Sequence, residues 1–330
     1  MTLSVSFHQE RDSAMRIKAL VLILIATLVP TYSVHAQDVV PKVAVAYDIG
    51  FLGDNSYNDA VHAALEIAKK KYRLVEPFVR EVPTNGTVVD RLTRLRFLAK
   101  NGYTLIITVG SGYRDIVRRV AIEYPETQFA LINDKSLSQM NISNIYFNEE
   151  DAAFLAGVLA AHITKRKIAF IGDSDMISEA FLAGAKRVKP KIKPVFLTYT
   201  GDIKTLSEQL VGVDIVYSLW DKDATVFQYT TTQKIGYIAR KPDQYFSSIK
   251  NAQGTIVATL TKNLTTPLSD LVSAALANSA IIDVLDEGNS IYGREYNASN
   301  GGLAIQLNSS AAKSAQPAIR SALSFLAKKR

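Results

Sequence analysis

Cysteine is absent from all 330 residues, and this absence removes several kinds of chemistry at once. Disulfide bonds, thiol nucleophiles and thiolate metal sites all need that residue. A bacterial lipoprotein also needs a cysteine at its cleavage site, where the lipid is attached. If the chain is exported, we therefore expect a protein that carries no lipid.

Histidine is nearly as scarce, and the whole chain contains only His8, His35, His62 and His162. The first two fall in a segment that we expect to be removed, and the other two lie within helix-like patterns, away from strand ends. A Ser–His triad or a histidine metal site is difficult to assemble from this set. Because G-x-S-x-G and H-E-x-x-H motifs are also missing, we expect neither enzyme activity nor a cofactor.

Residues 1–36 have the features of a secretory signal peptide, with translation expected to start at Met15 rather than Met1. Two cations are followed by the apolar run 19–29 and by the sequence "VHA" at 34–36. The apolar run is too short to span a bilayer comfortably, which argues against an uncleaved anchor. We therefore expect cleavage after Ala36 and a soluble periplasmic protein.

The chain has only a moderate excess of positive charge. Its 38 lysines and arginines against 31 acidic residues give a net charge of +7. The densest basic run, "KRVKPKIK" at 186–193, contains no aromatic residue. A solvated helix end is therefore favoured for this run, and we expect no nucleic-acid partner.

Apolar runs alternate with helical patterns after residue 42. The predicted strands are Val43–Ala46, Leu74–Val79, Thr104–Gly110, Phe129–Asp134, 167–173, 194–200, 214–219, 234–239 and 301–308. The predicted helices are Asn58–Tyr72, Val88–Ala99, Arg114–Tyr124, Asp151–Ile163, Ile177–Val188, Leu206–Val211, Asp223–Thr231, 265–288 and Ala315–Lys328. Continuous apolar strands that alternate with helices indicate parallel sheets covered on both faces.

Two such series of strands predict an α/β protein with two doubly wound parallel-sheet lobes. We place the first lobe at residues 37–147 plus about 262–290, and the second at 148–261 plus about 291–330. No flexible linker is evident between them. Lobes without a linker are usually joined by several strand crossings, which form a hinge beside a cleft.

Polar residues collect where the predicted strands end, which is the edge of an open α/β sheet that binds ligands. In the first series they are Asp48, Tyr57, Asn58, Gly110, Ser111 and Asn133. In the second series they are Trp220, Lys241 and Asp243. We expect them to converge on one site for a small molecule.

Several residues in these loops also have a purely structural interpretation. Asp48 could be a turn residue, and Tyr57 could be a hydrophobic staple at the start of a helix. Trp220 is the only tryptophan, and an isolated tryptophan is more often core than site. For Ser56 we favour a role as N-cap of the helix that begins near Asn58.

Three longer segments resemble the basic membrane protein family, the PnrA-like substrate-binding proteins of ABC transporters. "DIGFLGDNSYN" at 48–58 has the family spacing D-x-G-x-x-x-D-x-S-[FY]-N. "EYPETQFALIND" at 123–134 is similar to the family strand Y-P-x-x-x-F-A-I-I-D. Residues 141–173 are similar to its N-V-x-x-x-x-F-x-x-E-x-x-x-L-A-G-x-x-A segment and the strand that follows. The likeness runs from about Val43 to about Leu307.

The resemblance implies a type I periplasmic-binding fold that captures a purine nucleoside between closing lobes. Asp48 and Asn58 match polar contacts to the base. Tyr57 and Phe181 match aromatic residues that stack on it, and Lys262 matches a lysine near the ribose. The resemblance also implies an ABC permease in the inner membrane as partner, and we expect a monomer.

Three positions depart from the family pattern. Lys241 stands where the family has the first aspartate of G-V-D-S-D-Q, which holds ribose hydroxyls, whereas Asp243 is kept. Asn133 replaces an aspartate that reads the base, and Trp220 lies in "LWDKDA" where the family has A-A-G-G-T-G. Because an ammonium only donates hydrogen bonds, we expect the ribose side to favour an acceptor-rich or anionic group.

The sequence thus predicts a periplasmic solute-binding protein of an ABC importer that binds a purine nucleoside or a related heterocycle. A ligand-binding sensor or regulatory protein on the same fold is the alternative hypothesis. A nucleoside-processing enzyme that uses an aspartate cluster and a metal is a further one.

Overall fold

Two β-sheets organise the part of the chain that the computed structural model describes, which is residues 41–220, 224–241, 244 and 247–329. The strands are β1 (Val43–Tyr47), β2 (Val79–Val82), β3 (Leu105–Val109), β4 (Gln128–Ile132), β5 (Ile142–Phe147), β6 (Lys167–Ile171), β7 (Val195–Leu197), β8 (Val213–Ser218), β9 (Gly236–Ala239), β10 (Ile256–Lys262), β11 (Asp283–Asp286), β12 (Ile291–Tyr296) and β13 (Leu303–Leu307).

Helices cover both sheets. They are α1 (Tyr57–Tyr72), α2 (Val88–Lys100), α3 (Arg114–Glu123), α4 (Glu149–Ile163), α5 (Asp175–Val188), α6 (Ile203–Gln209), α7 (Thr225–Thr232), α8 (Ala252–Thr255), α9 (Thr265–Leu276), α10 (Ser310–Ser314) and α11 (Gln316–Lys328). Within the described residues, none of these helices combines the length and the apolar character needed to cross a membrane. The predicted signal peptide lies outside the described residues.

The first sheet has the strand order β11-β12-β5-β4-β3-β1-β2. Its neighbouring strands run parallel, apart from the antiparallel pair β11–β12. The chain leaves β1 toward β2 and later returns on the other side of β1 as β3. This reversal leaves a crevice at the carboxyl ends of β1 and β3, where open α/β sheets bind ligands.

The second sheet repeats this plan with the order β13-β10-β9-β8-β6-β7. Its strands are parallel except for the antiparallel pair β10–β13. Here the order reverses at β6, so the crevice lies at the carboxyl ends of β6 and β8. The predicted α/β class with two doubly wound lobes is therefore confirmed, with one antiparallel strand pair added to each sheet.

Burial on both faces explains why the apolar runs form central strands. All five residues of β1 (VAVAY) and of β3 (LIITV) are buried. Val45 packs in the same cluster as Leu65 of α1, whereas its neighbour Ala46 packs with Leu95 of α2. Helices on both faces therefore remove every side chain of such a strand from water.

The chain passes between the two sheets three times within the described residues, after β5, after β10 and after β12. The crossing segments lie side by side. Asn148 donates its backbone N–H to the Tyr296 carbonyl at 2.8 Å, and Asn263 donates to the Gly302 carbonyl at 3.0 Å. The multi-strand connection that the sequence predicted is therefore present as three hydrogen-bonded crossings.

Two predicted elements differ most from the structure in their bounds. The strand expected at 74–79 begins only at Val79, because the chain turns first and Phe78 donates its N–H to the Val75 carbonyl. The helix expected at 265–288 ends at Leu276. Asn278 then adopts a left-handed conformation with φ of +50°, and the chain continues into β11.

The predicted lobe boundary near residue 290 is also wrong. β12 pairs with β5 in the first sheet, so residues 291–296 do not belong with the second sheet. Gly293 explains the register, since a Cβ atom at this position would overlap the backbone of Asn144. Only glycine lets these two strands approach as they do.

Helices α4 and α5 pack unusually closely in the second lobe. Every residue of α4 from Asp151 to Ala161 is buried, so the helix is surrounded by protein. A Cβ atom at Gly157 would overlap the Phe181 carbonyl, and one at Gly184 would overlap the Phe154 carbonyl. The two glycines thus let the backbones of both helices come into contact.

Candidate functional site

A cavity of about 560 Å³ lies at the carboxyl ends of the strands, with residues of both sheets in its walls. Small-molecule sites commonly have volumes of roughly 300–1,000 Å³. Eight residues selected from the sequence line this cavity, namely Asp48, Tyr57, Asn58, Gly110, Ser111, Asn133, Lys241 and Lys262. The structure therefore brings these eight together, while their role in binding stays a prediction.

Phe181 does not lie at this cavity. Its side chain is fully buried in the core of the second lobe and stacks on Tyr217, with 6.0 Å between ring centroids. The reason is the close contact of α5 with α4, which places position 181 in the helix interface. The predicted stacking of Phe181 on a ligand is not supported by this placement.

Trp220 belongs to a different cavity, of about 550 Å³, next to the ends of β6 and β8. Its ring lies edge-on to the ring of Tyr199, with centroids 4.8 Å apart. Trp220 therefore does not line the cavity that holds Tyr57, although the sequence had placed both residues at one site. Asp243 lies outside the described residues.

Asp48 is held by a partner that the sequence did not reveal. Arg91 on α2 donates its Nε–H to the Asp48 carboxylate at 2.9 Å, and the Gly112 N–H donates to the same carboxylate at 3.1 Å. The Arg91 side chain is only 9% exposed. Asp48 thus has a structural role, because it holds the loop after β3, and it also lines the cavity, where the sequence analysis placed it as a site residue.

The start of α1 is fixed by Asp54. Its carboxylate accepts the backbone N–H groups of Ser56, Asn58 and Asp59 at 2.8 to 3.2 Å. Ser56 occupies the N-cap position, as predicted, but its side chain makes no capping hydrogen bond, so the Asp54 carboxylate supplies the acceptor instead. Asn58 is buried and donates its side-chain amide to the Phe51 carbonyl at 2.8 Å.

Tyr57 lines the cavity, and its hydroxyl is buried. Its Oη atom makes no hydrogen bond with any of the described residues. Burial, and then the negative charge of Glu149, raise the pKa of Tyr57, while Arg240 opposes this effect. The hydroxyl is therefore a protonated donor, and a buried polar group without a partner is costly.

A charge network that the sequence analysis missed crosses the cavity. Glu149, the first residue of α4, pairs with Lys262 Nζ at 2.5 Å and with Arg240 at 3.0 Å. Lys262 also donates to the Asn133 side-chain oxygen at 2.8 Å. Since Asn133 follows a strand of the first sheet and Lys262 ends a strand of the second, this network joins the two walls.

Two cations determine the ionisation of Glu149. Burial by itself disfavours the charged carboxylate, but Lys262 and Arg240 outweigh burial and place its pKa below the ordinary value of 4.5. Glu149 therefore stays ionised at neutral pH. A lowered folded pKa also means that the charge stabilises the fold above pH 4.5, and that this stabilisation is lost as pH falls through the folded pKa.

Replacing Glu149 by glutamine should lower the free energy of unfolding at pH 7 by about 1–3 kcal/mol, because two cations lose their shared partner. The difference from the wild type should shrink as the pH falls below 4.5. Urea unfolding at several pH values measures both effects. Glu150→Gln is the matched control, since Glu150 makes no ion pair within the described residues. Equal pH dependence of both variants would contradict the assignment.

The remaining walls of the cavity mix aromatic and charged side chains. Phe147 and Tyr217 contribute rings, and Lys262 Nζ lies 5.9 Å from the centroid of the Phe147 ring. Arg114 donates its Nε–H to the Asp134 carboxylate at 2.7 Å. Sequence could have suggested Phe147, because it stands at a strand end, but β5 itself was not predicted.

His62 lies in a small polar cluster outside the cavity. The ligating atoms of His62, Glu66 and Glu81 lie within 4.8 Å of one another. His62 Nδ1 is 2.9 Å from Glu81, the Tyr47 hydroxyl donates to Glu81 at 2.6 Å, and Lys69 pairs with Glu66. Because each side chain already has a partner, we assign no binding role to this cluster.

Comparison with known proteins identifies the family. A family model described as "ABC transporter substrate-binding protein PnrA-like" matches residues 40–293. The chain belongs to this PnrA-like family. Membership confirms the resemblance that began with the loop at 48–58, and it agrees with a cavity built from both lobes.

Curated relatives of this PnrA-like protein match over part of their length. A nucleoside-binding protein of an ABC transporter from Lactococcus lactis is 30% identical over 190 residues, which are 53% of this chain and 54% of that protein. Basic membrane protein A1 of Borrelia garinii is 29% identical over 47% of each chain. An uncharacterized lipoprotein of Pyrococcus furiosus is 31% identical over 56% of this chain and 48% of its own. The chain thus spans about half the length of the relatives it matches.

Solved structures support the fold assignment. A solute-binding protein of an ABC transporter system from Conexibacter woesei aligns with a TM-score of 0.64 and 15% identity, over 88% of this chain and 97% of the other. One from Aeropyrum pernix aligns with a TM-score of 0.59 and 18% identity, over 88% and 92%. At such identities the likeness shows the type I solute-binding fold and no more.

Proposed function

We propose that this PnrA-like protein is the substrate-binding component of an ABC importer and captures a purine nucleoside or a related heterocycle. The observation that carries the proposal is the cavity at the carboxyl ends of both sheets, where aromatic rings and amides stand together. A flat heterocycle binds well between rings with polar groups at its edge. The name of the Lactococcus lactis relative, a nucleoside-binding protein, points the same way.

Tyr57 and Phe147 are the rings that we assign to the base. Phe147 replaces Phe181 in this role, because Phe147 lines the cavity and Phe181 does not, although both rings are buried in this structure. Asn58 and Asn133 provide amide groups at the same cavity. The orphan hydroxyl of Tyr57 is a donor that a ligand acceptor would satisfy.

Closure of the lobes follows from the arrangement of the walls. A ligand that touches Tyr57 in the first lobe and Lys241 in the second must bring both walls to its surface. The three side-by-side crossings at 148, 263–264 and 297–302 are the segments about which we expect the lobes to rotate. A ligand that contacts both lobes would favour the closed state to the extent that it binds this state more tightly than the open state.

Thermal unfolding in the presence of nucleosides, nucleobases, nucleotides and sugars tests the proposed function. A ligand that binds only the folded protein adds about RT ln(1 + [L]/Kd) to its stability. We expect a purine nucleoside or a purine-like compound to raise the melting temperature most. A protein stabilised by sugars alone, or a ligand consumed during incubation, would contradict the proposal.

Lys241→Asp should tighten the binding of adenosine, inosine or guanosine at least about tenfold. An aspartate can accept two hydrogen bonds from ribose hydroxyls, whereas the ammonium of Lys241 can only donate. Calorimetric titration measures the change, and Lys313→Asp controls for the altered net charge. Submicromolar nucleoside binding by the wild type, with no gain in Lys241→Asp, would show that the lysine does not disfavour ribose.

Export through a cleaved signal peptide is part of the proposal. N-terminal sequencing of protein recovered from the periplasm should give a start at Gln37 and no lipid modification. The sequence contains no cysteine for lipid attachment, although relatives such as that of Pyrococcus furiosus are named lipoproteins. A start at Met15 would contradict the proposed export. Protein that is found only on membranes and is not released by salt would contradict it as well.

A further inference from the structure

Basic side chains gather at the amino ends of β6, β7 and β8. We call this surface the basic pole and define it by Lys165, Arg166, Lys167, Lys189, Lys191 and Lys193. All six residues are exposed. The first three lie between α4 and β6 or at the start of β6, and the others lie between α5 and β7.

Specific contacts hold the two segments of the basic pole together. Lys189 donates its Nζ–H to the Thr164 carbonyl at 3.0 Å. The nearby Asp214 carboxylate accepts the backbone N–H groups of Lys165 and Arg166 at 2.8 and 3.2 Å. It also accepts the Thr164 hydroxyl, so its hydrogen bonds go to the backbone and to Thr164, and the cationic side chains of the loop stay exposed.

The cations of the basic pole differ from several arginines of the first lobe. None of the six forms an ion pair with a carboxylate within the described residues. On the first lobe, by contrast, Arg96 and Arg119 pair with Glu123, and Arg114 pairs with Asp134. An unneutralised cluster of like charges repels itself, and an anionic partner would relieve that repulsion.

We propose that the basic pole docks on an anionic phospholipid membrane. Each lysine or arginine near such a surface favours binding, and long lysine stems can lie along the interface. Val211, whose side chain is 69% exposed, adds an apolar group beside Lys167, which passes next to Gly212. Nucleic acid fits less well, because the basic pole has no aromatic residue on which bases could stack.

Docking by the basic pole leaves the ligand cavity accessible. The basic pole lies at the amino ends of the strands of the second sheet, and the cavity lies at their carboxyl ends. The same protein could thus rest on the membrane and still take up ligand. This inference goes beyond the proposed function and does not depend on the identity of the ligand.

Vesicle sedimentation with the exported full-length protein tests the proposal. We expect binding to vesicles that contain phosphatidylglycerol, little binding to pure phosphatidylcholine, and release by salt, since exposed charges are screened over a Debye length. Equal binding to both kinds of vesicle, or none to either, would overturn it. Retention on an oligonucleotide without retention on anionic vesicles would overturn it as well.

Charge-reversed variants locate the surface. Lys191→Glu with Lys193→Glu should weaken vesicle binding at least about tenfold. Lys70→Glu with Lys100→Glu changes the net charge by the same amount on the first lobe and should weaken it much less. An equal loss in both variants would assign the effect to net charge and overturn the basic pole as the docking surface. Unchanged melting temperature shows that each variant is folded.

Discussion

A leucine in place of Gly184 should destabilise the protein by more than about 4 kcal/mol, the largest effect that we expect from a single substitution. A Cβ atom at this position would overlap the backbone carbonyl of Phe154 on α4, and backbone cannot move aside as a flexible side chain can. Helices α4 and α5 would have to separate and expose the core around Phe181. Thermal and urea unfolding measure the loss.

Two glycine variants make this prediction specific. Gly157→Leu should have a similar effect, since a Cβ atom there would overlap the Phe181 carbonyl. Gly254→Ala is the matched control, because Gly254 is exposed and a Cβ atom would have open space around it. Its stability should change by at most about 1 kcal/mol. A folded Gly184→Leu variant with wild-type stability would show that α4 and α5 are not in backbone contact.

Tyr57→Ala should weaken binding of the preferred heterocycle about 100-fold, the largest effect that we expect on binding. Stacking of a base on an aromatic ring contributes roughly 1–3 kcal/mol. The variant also loses the only buried hydroxyl without a hydrogen-bond partner among the described residues of the cavity. Calorimetric titration of the folded variant measures this loss. A weakening of threefold or less would mean that Tyr57 is only a staple of α1.

Tyr57→Phe separates the ring from the hydroxyl. This variant keeps the stacking surface and removes only Oη, so we expect a loss of about tenfold or less. If Tyr57→Phe and Tyr57→Ala weaken binding equally, the hydroxyl and not the ring makes the important contact. The base would then have to lie elsewhere in the cavity.

Strand ends were the part of the site that sequence predicted well. Asp48, Asn133 and Lys241 each follow an apolar run, and parallel strands bring such positions to one edge whatever the details of packing. The same logic could not place Phe181, which lies nearly two turns inside a helix. Its direction depends on the close approach of α4 and α5 at Gly157 and Gly184, which involves two helices and no local pattern.

Long-range charge partners were the part that sequence could not predict. Glu149 meets Lys262, a residue far along the chain, only because three crossings bring the start of α4 beside the end of β10. Arg91 reaches Asp48 from a helix whose pattern suggested only an amphipathic surface. Such ion pairs are fixed by the topology of the whole fold, and neither composition nor residue spacing predicts them.

A crystal structure of the protein with its preferred heterocycle tests the central claim most directly. We predict a ring between Tyr57 and Phe147, polar edges near Asn58 and Asn133, and lobes closer together than in ligand-free protein. Ligand bound outside this cavity, for example in the cavity beside Trp220, would contradict the account.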